Sequence, residues 1–126
     1  MNIAVGYIDI EIFRCVSDDI TTREVVITDT QIKHIMQRHP GDYERFSKYI
    51  SQAVEDPDYI LEANKPNTAL ILKEIEENGE RIQLILRLKT SSDPDGYRNS
   101  IITLLKIDQR KWNKYLRNKI VLYKRE

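Results

Sequence analysis

His34 and His39 are the only histidines in this 126-residue chain, and both fall in one segment, Ile32-Lys33-His34-Ile35-Met36-Gln37-Arg38-His39-Pro40. Imidazole is the side chain that titrates nearest neutrality, so a close pair with Arg38 between its members reads as a proton-transfer site. The plain alternative is two surface polar residues on an amphipathic helix. Lys73, Arg87 and Thr103 add cations and a hydroxyl, while the sequence shows no carboxylate cluster and no Cys/His ligand spacing. That set suits phosphoryl transfer with no metal and no other cofactor. In RNA cleavage by internal attack, a base takes the 2′-OH proton and an acid protonates the departing 5′ oxygen. A cation or hydrogen-bond donor steadies the charge that builds on the phosphorane. His34 and His39 fit the first two roles in either order, and Lys73, Arg87 and Thr103 fit the third.

The element carrying the pair sets a condition on this chemistry. Residues five apart on an α-helix diverge by roughly 140° at about 3.6 residues per turn. Both imidazoles can face one phosphate only if the helix ends near His39, where Pro40 points. Thr28, Asp29 or Thr30 supplies its N-cap, and Ile32, Ile35 and Met36 give it an apolar stripe. A second helix is predicted from Tyr43 to Val54, closed by Asp56-Pro57-Asp58.

Strands flank these helices. Val5 to Val16 and residues 23–28 read as strands ahead of them, with Cys15 a small apolar residue of the first. After Pro57 come Tyr59 to Glu62, Thr68 to Glu76, Arg81 to Lys89 and Arg98 to Ile107. A basic helix from Gln109 to about Leu116 and a strand from Lys119 to Tyr123 close the chain. The expected class is α+β: two helices on the N-terminal side packed on an antiparallel sheet. Within the 68–89 hairpin, a three-residue loop with Gly79 at positive φ best sorts the apolar residues. It would gather Leu70, Leu72, Ile82, Leu84, Leu86 and Leu88 on one face. Lys73, Gln83, Arg87 and Lys89 would share the other, a cationic surface.

Composition bounds the rest. The length suits one domain over residues 1–126, and no stretch approaches the roughly 20 apolar residues of a membrane span. The start of the chain lacks the pattern of a signal peptide, and a single cysteine excludes an internal disulfide. A formal charge of zero hides an asymmetry: residues 1–80 hold 16 acidic and 8 basic side chains, residues 81–126 hold 4 and 12. A basic region fits a polyanion, though a solvated basic helix has the same signature.

The residues also carry a resemblance. The run from His34 to Pro40, Asp56-Pro57-Asp58-Tyr59-Ile60, Lys73 in an apolar strand, Asn99-Ser100-Ile101-Ile102-Thr103 and Leu122-Tyr123 resemble, in order, phage-type nucleases of the barnase–EndoU–colicin–RelE superfamily. The resemblance covers about residues 24–126, leaving 1–22 as an N-terminal strand extension. It implies RNA cleavage, with tRNA among the candidate substrates. It also implies a toxin module acting in the cytoplasm, delivered into a target cell and neutralised by a cognate immunity protein. By position, His34, His39, Lys73, Arg87, Thr103 and Tyr123 would line the catalytic site, and Arg38, Lys89 and Lys124 would bind substrate.

Each residue has a structural alternative. His34 could be a helix residue bonded to backbone, and His39 a C-terminal cap favoured by the helix dipole. Lys73 and Arg87 could form cross-strand pairs with glutamates, and Tyr123 could be a packed aromatic. Ser100 and Thr103 fall on opposite faces of a regular strand, so only one joins the site unless a bulge intervenes. Trp112 and Tyr115 read as core. Against the nuclease stand a non-catalytic binding module and a catalytically decayed piece of a phage structural protein.

Overall fold

Runs of isoleucine, valine and leucine build one seven-stranded sheet in the computed structural model, which describes residues 1–126. The strands are β1 (Asn2–Tyr7), β2 (Glu24–Thr28), β3 (Tyr59–Glu62), β4 (Thr68–Glu74), β5 (Arg81–Arg87), β6 (Asn99–Ile107) and β7 (Val121–Lys124). Their order is β1-β2-β6-β5-β4-β3-β7. The fold is α+β, but the sheet is mixed, which corrects the antiparallel expectation. β2 and β6 run parallel through Val25–Asn99 and Val26–Ser100, while every other neighbouring pair is antiparallel. Between those two strands the chain makes all its central hairpins and returns in the same direction, a crossover that sequence alternation does not reveal.

Helices α1 (Ile10–Phe13), α2 (Asp29–Arg38), α3 (Asp42–Phe46), α4 (Ile50–Glu55) and α5 (Gln109–Asn118) complete the molecule, with a 3₁₀ turn at Ser47–Tyr49. The strand expected to reach Val16 ends at Tyr7. Asp9 then caps α1 by accepting from the Glu11 amide at 3.0 Å, and Ile8 and Phe13 are fully buried. Cys15, just beyond, is exposed. The helix expected over 43–54 is broken by the 3₁₀ turn. Its tighter winding brings Phe46 and Tyr49, three apart, onto one side, and both are buried. A cluster of 20 buried residues joins Ile35, Phe46, Ile50, Ala53 and Val54 to one face of the sheet.

The hairpin departs furthest from the sequence expectation. Gly79 does take positive φ, at +71°, but the loop has four residues. Ile75 donates to the Glu80 carbonyl at 2.8 Å, and Gly79 donates back to Ile75 at 2.8 Å. Lys73 therefore pairs with Ile82, Ile71 with Leu84 and Ala69 with Leu86 on the main-core face. Leu70, Leu72, Gln83, Ile85 and Arg87 take the other face. Lys73 and Arg87 thus lie on opposite faces, so the common cationic surface does not exist. Both faces of β4 are covered, and all its residues but Glu74 are buried. Alternation had no polar face to mark the register.

What covers the second face is α5. Trp112, 8% exposed, packs with Leu61, Leu70, Leu72 and Ile107, and its ring meets Tyr59 edge-on at 5.9 Å. No helix is long and apolar enough to cross a membrane.

Candidate active site

Thr28 ends β2 and starts α2 in one residue, its hydroxyl accepting from the Gln31 amide at 3.1 Å. The helix stops at Arg38. His39 still donates its amide to Ile35 at 2.7 Å, but its backbone (φ −132°, ψ 70°) has left the helix. Pro40 accounts for the stop, because proline disfavours helical geometry in the residue before it. The condition set by helical divergence is met: His34, on the last turns, and His39, beyond the end, line the same cleft.

That cleft, of about 470 Å³, forms where the sheet divides. β6 pairs with β2 only at Asn99 and Ser100, so further along β6 its edge is left to α2. Gln31, His34, Arg38 and His39 come from α2 and its end, Ile102, Thr103 and Leu105 from β6. Gln83 of β5 and Lys111 of α5 complete the polar lining. Gln83 is buried, and its Oε1 accepts from the Tyr115 hydroxyl at 2.8 Å, which leaves the amide nitrogen as the donor on offer. His34, Arg38 and Lys111 are exposed and free to meet a ligand.

A bulge positions the hydroxyl. Ile85 pairs with Thr103 but Leu86 pairs with Ile101, so Ile102 is one residue too many for its partner strand. The extra residue keeps Thr103 and Ser100 on one face together. Ser100 spends its hydroxyl on the Arg98 carbonyl at 2.9 Å, whereas Thr103 lines the cleft.

The remaining sequence candidates lie elsewhere. Lys73 is 3% exposed, donates to the Asp56 carbonyl at 2.6 Å and sits 3.7 Å from the Asp58 carboxylate. Arg87 lines a neighbouring cleft of about 530 Å³, built by residues 63–68 and sharing only Ile102 with the first. Both its terminal nitrogens bond Asp93 at 3.0 Å, and it also donates to the Leu88 carbonyl. Those bonds from Arg87, with the Thr90 amide, hold the Asp93 carboxyl below its ordinary range. Lys89 lends its amide to Asn99 at 2.8 Å and lines neither cleft. Tyr123 and Lys124 belong to β7, four strand positions from β6, or roughly 19 Å at about 4.8 Å per strand. Burial, then the Asp56 charge, raises the Tyr123 hydroxyl above its usual pKa.

Sequence reasoning missed Gln31 and Lys111, and named Gln83 only as a member of the cationic face. Lys111 was visible as part of a basic helix, but nothing in the sequence says that the first turn of α5 reaches a cleft formed by α2. The chain matches, over residues 4–124, the family model described as phage-Barnase-EndoU-ColicinE5/D-RelE like nuclease2. It belongs to this nuclease family. No curated protein and no solved structure matches it. The match starts at residue 4, within the N-terminal strand extension, whose β1 pairs along β2 in the same sheet. Membership implies a nucleic-acid substrate. For such a substrate the nuclease offers two imidazoles, an arginine, a lysine, a hydroxyl and two amides in one cleft. No three His, Cys, Asp or Glu side chains group as a metal-binding set would.

Proposed function

We propose that the chain is a metal-independent endoribonuclease acting at the His34–His39 cleft. One imidazole takes the proton from the 2′-OH as its oxygen bonds to phosphorus. The other gives a proton to the 5′ oxygen as the P–O5′ bond breaks, leaving a 2′,3′-cyclic phosphate and a free 5′-OH. Arg38 and Lys111 supply positive charge to the phosphorane, and Thr103 and Gln83 supply neutral donors. The observation that carries this reading is the convergence of the only two histidines on one cleft with both cations. Lys73, Tyr123 and Lys124 have no part in the reaction, and Arg87 acts in the adjoining cleft. The toxin role, cytoplasmic action and neutralisation by an immunity protein belong to the same proposal, with RNA, tRNA included, as substrate.

The test is purified protein with RNA in EDTA. Cleavage should persist and leave cyclic phosphate ends. His34→Ala with His39→Ala should lower the rate at least ~10²-fold, the usual scale of losing acid–base catalysis. Both positions are at least partly exposed, so the variant should fold. Undiminished cleavage by the folded double variant would refute the assignment. RNA binding without cleavage by the wild-type protein would instead favour the binding module.

A further inference from the structure

Sixteen basic side chains lie outside helix α5, and eight of them form ion pairs with carboxylates, among them Arg45 with Glu80, Arg81 with Glu74, Arg87 with Asp93 and Arg98 with Glu24. Helix α5 is different. Arg110, Lys111, Lys114 and Arg117 are exposed on a ten-residue helix that contains no acidic residue, and none of them forms an ion pair. Two features of this arrangement work against stability. Arg110 and Lys114, like Lys114 and Arg117, are like charges at spacings where helix side chains meet. Arg110 and Lys111 also place cations in the first turn, where the helix dipole favours anions. The N-cap Asp108 answers the dipole by accepting from the Lys111 amide at 2.8 Å, but the like-charge pairs meet no carboxylate of the chain.

The four side chains line a groove of about 830 Å³ that runs beside Tyr115, and Lys111 belongs to this groove and to the histidine cleft at once. We infer that α5 is a backbone track for single-stranded RNA, feeding the strand through Lys111 into the cleft. This deepens the nuclease reading and rests on it for the identity of the polyanion. Phosphates at successive positions would meet Arg117, Lys114 and Arg110, giving sequence-independent affinity that falls with salt. A substrate of two nucleotides would reach the cleft without touching the track.

The variant that tests this is Arg110→Ala/Lys114→Ala/Arg117→Ala, which leaves Lys111 in place. Binding would be read by fluorescence anisotropy with a 2′-O-methyl RNA of about 20 nucleotides, uncleavable because it lacks the attacking hydroxyl, between about 50 and 200 mM salt. Affinity at the low end should fall at least ~10-fold. The log–log salt slope should flatten by about 2, the product of three contacts and roughly 0.7 per contact on single strands. Turnover of RNA dinucleotides should stay within about 2-fold, since no cleft residue is altered. The thermal midpoint should hold or rise, because alanine is a strong helix former and the like-charge pairs are gone. Unchanged affinity and slope would overturn the track and assign the basic face to another acidic partner. If wild-type protein cleaves nothing yet shows the slope and its loss, the track stands and the cleavage reading falls.

Discussion

An ammonium group kept from water has to place its charge and its protons on partners. Lys73 does so on the Asp56 carbonyl and the Asp56 and Asp58 carboxylates, the same two residues that hold Arg125 next to β7. Lys73 ties the turn before β3 to β4, and the same two aspartates tie that turn to Arg125. Lys73→Ala should therefore cost about 3 kcal/mol of stability, the scale of breaking a buried charged pair, read from the urea midpoint. The rate per folded molecule should stay within about 2-fold, and a ~10²-fold loss with stability intact would return Lys73 to catalysis. Asp93 carries a pH signature. Its bonds from Arg87 and the Thr90 amide lower the folded-state pKa beneath the ordinary 3.8, so protons bind the unfolded chain more tightly. The stabilisation is complete above that ordinary value and is lost as pH falls through the lowered one. Asp93→Asn should accordingly trail wild type most near about pH 6, and the gap should close toward about pH 2.5 in urea titrations. A gap independent of pH would show that the carboxylate charge contributes nothing.

Two local irregularities do the positioning at the scale of elements. The bulge at Ile102 turns Thr103 toward the cleft, and the early end of α2 releases His39 from helical divergence. A third holds β1 against α4. Gly6 sits at φ +153°, beside a bulge, with the place of a Cβ only 3.1 Å from Ser51 Cα and 3.2 Å from Val54 Cγ2. Gly6→Ala meets both a backbone region closed to other residues and a backbone atom that cannot swing away. The expected loss is about 1–3 kcal/mol, measured as a lowered thermal midpoint. Gly96→Ala, with no atom within 4 Å of the new Cβ, is the control and should be close to neutral. Equal effects of the two substitutions would refute the close-approach account.

Over the whole molecule, the sheet has one face on the helices that carry the histidines and another on the helix that carries free cations. Edge-on to both lies the cleft where β6 parts from β2. Residue types alone singled out the short segment that carries both imidazoles, and placed α2, β3, β6 and α5 to within two or three residues. Caps, prolines and β-branched runs act through neighbours in sequence, so those elements were legible without a fold. Arg38 follows from the same local signals, whereas Thr103 lines the cleft through a bulge set by its pairing with β5. The hairpin register was not legible, since β4 is apolar toward both faces and its alternation holds no information. With the register went Lys73 and Arg87, whose faces depend on the loop being four residues long. Tyr123 and Lys124 share a sequence neighbourhood with α5, yet strand order carries them to the opposite edge of the sheet. Lys111 entered the site only because α5 crosses the second face toward β6. A residue's chemistry and its local conformation are properties of a short stretch of chain. Which stretches meet is set by pairing and packing across the whole of it, and only the tertiary structure decided that.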